Sequence, residues 1–162
     1  MLSTYRENAK ERESQGIPPL PLDAAQTQAL TELLQKPPAG EEQTLLHLLS
    51  DRIPPGVDEA AYVKATWLSA VAQGKASSPL VAPLEAVQLL GTMVGGYNVA
   101  ALIELLKHPD ETLASCAVEG LSRTLLVYDA FNDVMELAAS NRFAQQVVDS
   151  WAAAEWFTRR DP

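Results

Sequence analysis

Apolar residues recur along the chain at intervals of three and four, the spacing of a single helical face, and no stretch sustains the period-two alternation of a strand. After Asp23 they fall at Ala25, Ala29, Leu30, Leu33 and Leu34, and after Tyr128 at Phe131, Val134, Met135 and Ala138. Proline and glycine gather between these segments, at 16–21, 36–40, 53–56, 74–83 and 91–96 and at Pro109, as short helices joined by turns require. The pattern predicts helices at about 2–15, 23–35, 41–51, 58–73, 83–91, 98–107, 110–125, 128–139 and 141–157. Asp23, Asp58 and Asn98 are expected to cap helix starts, and Glu41 and Glu42 suit the positive end of a helix dipole.

After the first helix the segments group as pairs. Candidate pair starts at 23, 58, 98 and 128 lie about 35, 40 and 30 residues apart, within the range of helical solenoid repeats. An all-α fold of eight to nine short helices in antiparallel pairs follows, either an α-solenoid or an irregular bundle. It is expected to form a single domain over 1–162, with an N-terminal helix and Pro-rich linker at 1–22 and helix pairs at 23–157. Val99, Ala100, Leu102, Ile103, Leu105 and Leu106 cover more than one stripe and mark a helix held between neighbours. The small residues Ala60, Ala61, Ala65, Ala70 and Ala72 would let the 58–73 helix approach its partner closely. On the last helix Phe143, Val147, Trp151 and Ala154 form one stripe, and Trp156 projects roughly 140° away from Trp151. Trp156 and Phe157 therefore either face a partner or fold back on their own domain.

Composition narrows the function. Twenty-one acidic and 12 basic residues give a net charge of −9, which repels phosphate backbones and anionic lipid, so nucleic acid is not an expected partner. No apolar run approaches the roughly 20 residues of a membrane span. The charged start lacks an apolar signal core and the lone cysteine closes no internal disulfide, which leads to the expectation of a cytoplasmic location.

No nucleophile, base and orienting group occur together in the pattern. Cys116 lies in an apolar run and is expected to behave as a small buried hydrophobe; a single cysteine also falls short of an iron–sulfur cluster. His47 points away from the arc of Leu45, Leu46, Leu48 and Leu49, and His108, before Pro109, suits a cationic cap at a helix C-terminus. Asp129, Asp133 and Glu136, spaced by four and three, share one helical face opposite Phe131. That acidic face is either a solvated surface or a contact for a cation or a basic partner. Gly91-Thr92-Met93-Val94-Gly95-Gly96 lacks the strand and the Lys-Ser/Thr of a phosphate loop and reads as a turn between helices.

Longer strings carry more specific information. Pro37-Pro38-Ala39-Gly40-Glu41-Glu42, Arg52-Ile53-Pro54-Pro55-Gly56-Val57-Asp58-Glu59-Ala60-Ala61-Tyr62-Val63-Lys64-Ala65, Leu89-Leu90-Gly91-Thr92-Met93-Val94-Gly95-Gly96-Tyr97-Asn98 and Ser150-Trp151-Ala152-Ala153-Ala154-Glu155-Trp156-Phe157 resemble, in order, the N-terminal domain of bacterial aconitase B. The resemblance implies a HEAT-like helical domain that precedes the swivel and cluster-binding domains of an enzyme interconverting citrate and isocitrate through cis-aconitate. It further implies protein–protein contact, dimer formation included, with the other domains or a second copy as partners. The family's [4Fe–4S] ligands and substrate-binding residues lie in later domains, so no catalytic, cofactor or metal residue is expected here. Trp156, Phe157, Asp129, Asp133 and Glu136 are the candidate interface residues. A free-standing scaffold or regulatory module built on the same domain is the alternative.

Overall fold

The computed structural model describes residues 1–124 and 130–154, and within them every regular element is a helix. In chain order these are α1 (Leu2–Ser14), α2 (Ala24–Gln35), α3 (Glu42–Asp51), α4 (Glu59–Ala72), α5 (Pro83–Gly91), α6 (Val99–Leu105), α7 (Glu111–Ser122), α8 (Phe131–Ala138) and α9 (Arg142–Ala153). The expected pairs are in contact: α2 with α3, α4 with α5, α6 with α7 and α8 with α9. Contacts of α2 with α4, α5 with α7 and α7 with α9 join one pair to the next. A single apolar cluster follows this path from Leu22 to Trp151.

Local chemistry places the helix starts. The Asp23 carboxylate accepts from the Gln26 amide at 2.7 Å while the Gln26 side chain accepts from the Asp23 amide at 3.1 Å, a reciprocal cap that satisfies two free donors. Asp58 caps α4 through the Ala61 amide, and Asp110 caps α7 through that of Thr112. Pro83 occupies the first turn of α5, where its missing N–H costs nothing, and Glu85 accepts from the Ala82 amide. Asn141 caps α9 through the amides of Phe143 and Ala144 and also donates to the Leu106 carbonyl, which ties the start of α9 to the end of α6.

Several expectations need correction. Asn98 does not cap α6: fully buried, it turns back and donates from Nδ2 to the carbonyls of Leu90 and Met93 at 2.7 and 3.1 Å. The His108 ring makes its hydrogen bond forward, its Nδ1 accepting from the Asp110 amide at 3.1 Å at the start of α7. Of Phe131, Val134, Met135 and Ala138 only Val134 is buried, and Phe131 and Met135 are exposed. On α2, Ala25 is exposed, whereas Thr27 and Thr31 are buried and satisfy their hydroxyls on the helix's own carbonyls at Asp23 and Gln28. The end of the last predicted helix and the start of the 128–139 helix lie outside the described residues.

Close backbone approach fixes the centre. Gly91 of α5 and Gly120 of α7 face each other, and a Cβ built on either would lie 3.1 Å from the Cα of the other. On α4, Ala60, Ala61, Ala65 and Ala72 are buried, with Trp67, Leu68 and Val71 among them, while Ala70, the fifth small residue, is only half-buried.

Candidate interaction surfaces

The acidic face anticipated on the 128–139 helix lines an open cleft of about 680 Å³ between α6 and α8. Val99, Ile103 and Leu137 form its apolar floor, and Glu104, Lys107, Asp133 and Glu136 its rim. Asp133 and Glu136 do share this face, while Asp129 lies outside the described residues, as do Trp156 and Phe157. Sequence reasoning missed Glu104 and Lys107, since their place opposite α8 is set by tertiary packing and not by spacing. The ammonium of Lys107 is taken up by Glu104 at 2.8 Å, and among the described residues Asp133 and Glu136 form no ion pair. Behind the cleft, Phe131 stacks on Trp151 at 6.0 Å, and Trp151 Nε1 donates to the Leu121 carbonyl at 2.9 Å. This anchors α8 and α9 to the end of α7. The described residues contain no group of three or more His, Cys, Asp or Glu side chains placed to hold a metal ion.

A second surface arises where two of the strings that carry the family resemblance meet. The 53–58 loop and the 92–98 turn, about 40 residues apart in sequence, are pressed together so tightly that a Cβ on Gly95 would lie 1.9 Å from the Gly56 carbonyl oxygen. Only glycine allows this approach. The Val94 amide donates to the Pro55 carbonyl at 3.2 Å and the Tyr97 hydroxyl to the Val57 carbonyl at 3.0 Å. The rings of Tyr62 and Tyr97 meet edge to face at 5.4 Å. Asn98 clamps the turn from below through its bonds to Leu90 and Met93. The isolated glycines predicted a turn here; only the fold shows what the turn packs against.

Two further groups complete the account. Lys64 of α4 is 3% exposed and finds no hydrogen-bond acceptor among the described residues, and burial pushes its ammonium below the ordinary lysine range, with the charge of Asp51 opposing this in part. Cys116 is half-buried and not fully enclosed as expected; it borders a small cavity with Gly91, Gly120 and Arg123. Burial, followed by the nearby Glu119, raises its thiol above the usual range, which disfavours the thiolate needed for nucleophilic or metal chemistry. His47 is exposed, as its position predicted, and its Nδ1 lies 2.9 Å from Asp51.

Residues 4–157 match the family model of the aconitate B N-terminal domain. Aconitate hydratase B of Escherichia coli is 57% identical over 161 residues, covering 99% of this chain and 18% of that protein. The Synechocystis aconitate hydratase B is 56% identical over 160 residues, again 99% of this chain and 18% of the relative. The Helicobacter pylori protein of the same name is 44% identical over 164 residues, covering 99% of the chain and 19% of the relative. The chain thus spans less than a fifth of the length of the curated relatives it matches. With nearly every position aligned and one family model accounting for 4–157, the chain belongs to the aconitate B N-terminal domain family.

Proposed function

We propose that this chain is the protein-interaction domain of an aconitate hydratase B, serving an enzyme that interconverts citrate and isocitrate through cis-aconitate while contributing none of its catalytic groups. The family match over 4–157 carries the reading. Its partners are the other domains of the enzyme or a second copy of the chain, in the cytoplasm. The residues present do not fit a [4Fe–4S] cluster: the sequence has one cysteine, its thiol is half-buried and held toward the protonated form, and cluster ligation draws on several thiolates. The cluster belongs to other domains of the enzyme.

The purified chain, after incubation with ferrous iron and sulfide, is expected to retain no cluster and to leave cis-aconitate unhydrated. Turnover by such a preparation would refute the reading. A mass measurement across concentration, for the chain alone and with the remaining domains of the Escherichia coli enzyme added, is expected to show association. A chain that stays monomeric in both conditions would instead favour a free-standing scaffold.

A further inference from the structure

The last two helix pairs are joined on one side only. α7 packs directly on α9, whereas α6 and α8 are linked mainly through those two helices and stand apart, which opens the cleft of about 680 Å³ between them. Its width is fixed by the Asn141 bond to the Leu106 carbonyl at the end of α6 and by the Phe131–Trp151 stack at the start of α8. A cleft preformed in this way loses little entropy when a ligand enters it. Its two helical walls are roughly 10–12 Å long at about 1.5 Å per residue, or about two turns each.

Three features determine what fits. The floor of Val99, Ile103 and Leu137 calls for apolar side chains. On the rim Glu104 already holds Lys107, so Asp133 and Glu136, which form no ion pair among the described residues, are the charges left for a partner to complement with cations. Every regular element among the described residues is a helix, so none of them offers a sheet edge to the backbone of an extended peptide. A helical ligand brings its backbone hydrogen bonds already made.

We propose that the α6/α8 cleft binds a short basic amphipathic helix of a separate protein. Apolar side chains on two successive turns enter the floor, and lysine or arginine beside them meets Asp133 and Glu136. A second copy of this chain does not supply such a helix: none of α1 to α9 carries a net positive charge, and the whole chain carries −9. The rest of a parent polypeptide is the weaker occupant, because permanent interfaces are the more apolar ones. Here a small floor lies within exposed carboxylates, the composition of a contact that forms and releases. The proposal adds a partner to the interaction-domain reading above and does not depend on which surface the enzyme's other domains use.

The probe is a fluorescent alanine-based peptide of about 15 residues, long enough to form a helix, with leucines three and four apart and lysines flanking them. Its twin carries glutamate for every lysine. Titrated with the 162-residue chain at low ionic strength, the lysine peptide is expected to bind roughly tenfold or more tightly than the twin. Asp133→Asn with Glu136→Gln should weaken it roughly three- to tenfold and flatten its salt dependence, the range for two exposed charges. Glu7→Gln with Glu11→Gln removes the same charge from α1 and should leave binding unchanged. Ala100→Lys, which sets an ammonium on an exposed position of the cleft lining, should abolish it while the chain melts as the parent does. Equal binding of the two peptides, equal losses from the α8 and α1 variants, or binding that survives Ala100→Lys would overturn the proposal. The titration is repeated on a full-length Escherichia coli enzyme carrying this chain in place of its matched segment, where binding should persist. Loss of binding there would assign the cleft to the parent polypeptide and overturn the separate partner. Association with the remaining domains is read separately by mass, so failure of the interaction-domain reading and failure of this one are distinguishable.

Discussion

The two surfaces of this domain are built by opposite means. At the 53–58 and 92–98 junction the backbone itself is the structural element: glycine lies on glycine, main-chain groups bond across the contact, and a buried asparagine secures the turn. At the α6/α8 cleft the rim is made of exposed side chains, one pair of charges satisfies itself, and the geometry comes from packing behind the surface, where Trp151 meets Phe131 and Leu121. Backbone contact tolerates almost no change in side-chain volume, whereas a charged rim tolerates many. It follows that the junction should be sensitive to a single methyl group and the cleft insensitive to its own charges.

The largest expected effect strikes the cleft from behind. Trp151→Ala removes a side chain that is buried, stacked and hydrogen-bonded, and should destabilise the chain by about 3–5 kcal/mol in a denaturant melt. A loss below about 1 kcal/mol, the size expected of a surface change, would show that α8 and α9 are held by something other than this peg.

Next is the junction. Gly95→Ala would place a methyl group 1.9 Å from the Gly56 carbonyl oxygen, so the two loops must part, and the expected cost is about 2–3 kcal/mol. Gly56→Ala is the sharper half of the pair, because a Cβ on Gly56 meets nothing within 4 Å and its effect should stay within about 0.5 kcal/mol. Comparable melting of both variants would mean that the contact is not the backbone lock described here.

Just beyond the junction, Lys64 tests whether α4 tolerates a buried charge. Its folded-state ammonium is depressed by burial, so between that lowered value and the ordinary value of 10.5 the unfolded chain binds the extra proton. Stability should therefore rise with pH across that window, the burial penalty being complete below it and gone above it. Lys64→Met should remove this slope and stabilise the domain at neutral pH by roughly 1 kcal/mol, since an apolar side chain of similar length carries no charge to desolvate. A destabilised Met variant would reveal a partner for the ammonium.

These contrasts also show what was legible in the sequence. Helix placement was read well where spacing and local caps agree, as at Pro83–Gly91, which starts on a proline beside the Glu85 cap. At Asn98 the helix start was read to within one residue but the cap was not, because an asparagine before an apolar run signals a cap whether it faces forward onto the helix or, as here, back onto the preceding turn. Asp133 and Glu136 were legible as one face from their spacing, but Glu104 and Lys107 opposite them were not, since helical periodicity says nothing of which helices adjoin. The contact of Gly56 with Gly95 was likewise beyond any local pattern. Its only trace was that both glycines fall in strings resembling one family; the structure presses Gly95 against the Gly56 carbonyl, while a Cβ on Gly56 itself would meet nothing.

The smallest expected effect is the one that separates a charged rim from a built site. Asp133 lies in the first turn of α8, where its carboxylate is favoured by the helix dipole, whereas Glu136 lies beyond that turn, three residues from Asp133 on the same face, where like charges disfavour each other slightly. Asp133→Asn should therefore cost a few tenths of a kcal/mol and Glu136→Gln should return a similar amount, so the double variant falls within about 0.5 kcal/mol of the parent. Removing two negative charges takes the net charge from −9 to −7, which adds a slight stabilisation at low ionic strength that disappears as salt screens the surface. Urea melts at low and high salt resolve the two contributions, because the repulsion is screened more readily than the packing of the Val99, Ile103 and Leu137 floor. If the double variant lost more than about 1 kcal/mol at both salt concentrations, Asp133 and Glu136 would be structural members of the cleft, beyond the range of ordinary surface substitutions. The distinction between a junction held by backbone and a rim made of charge would then have to be abandoned.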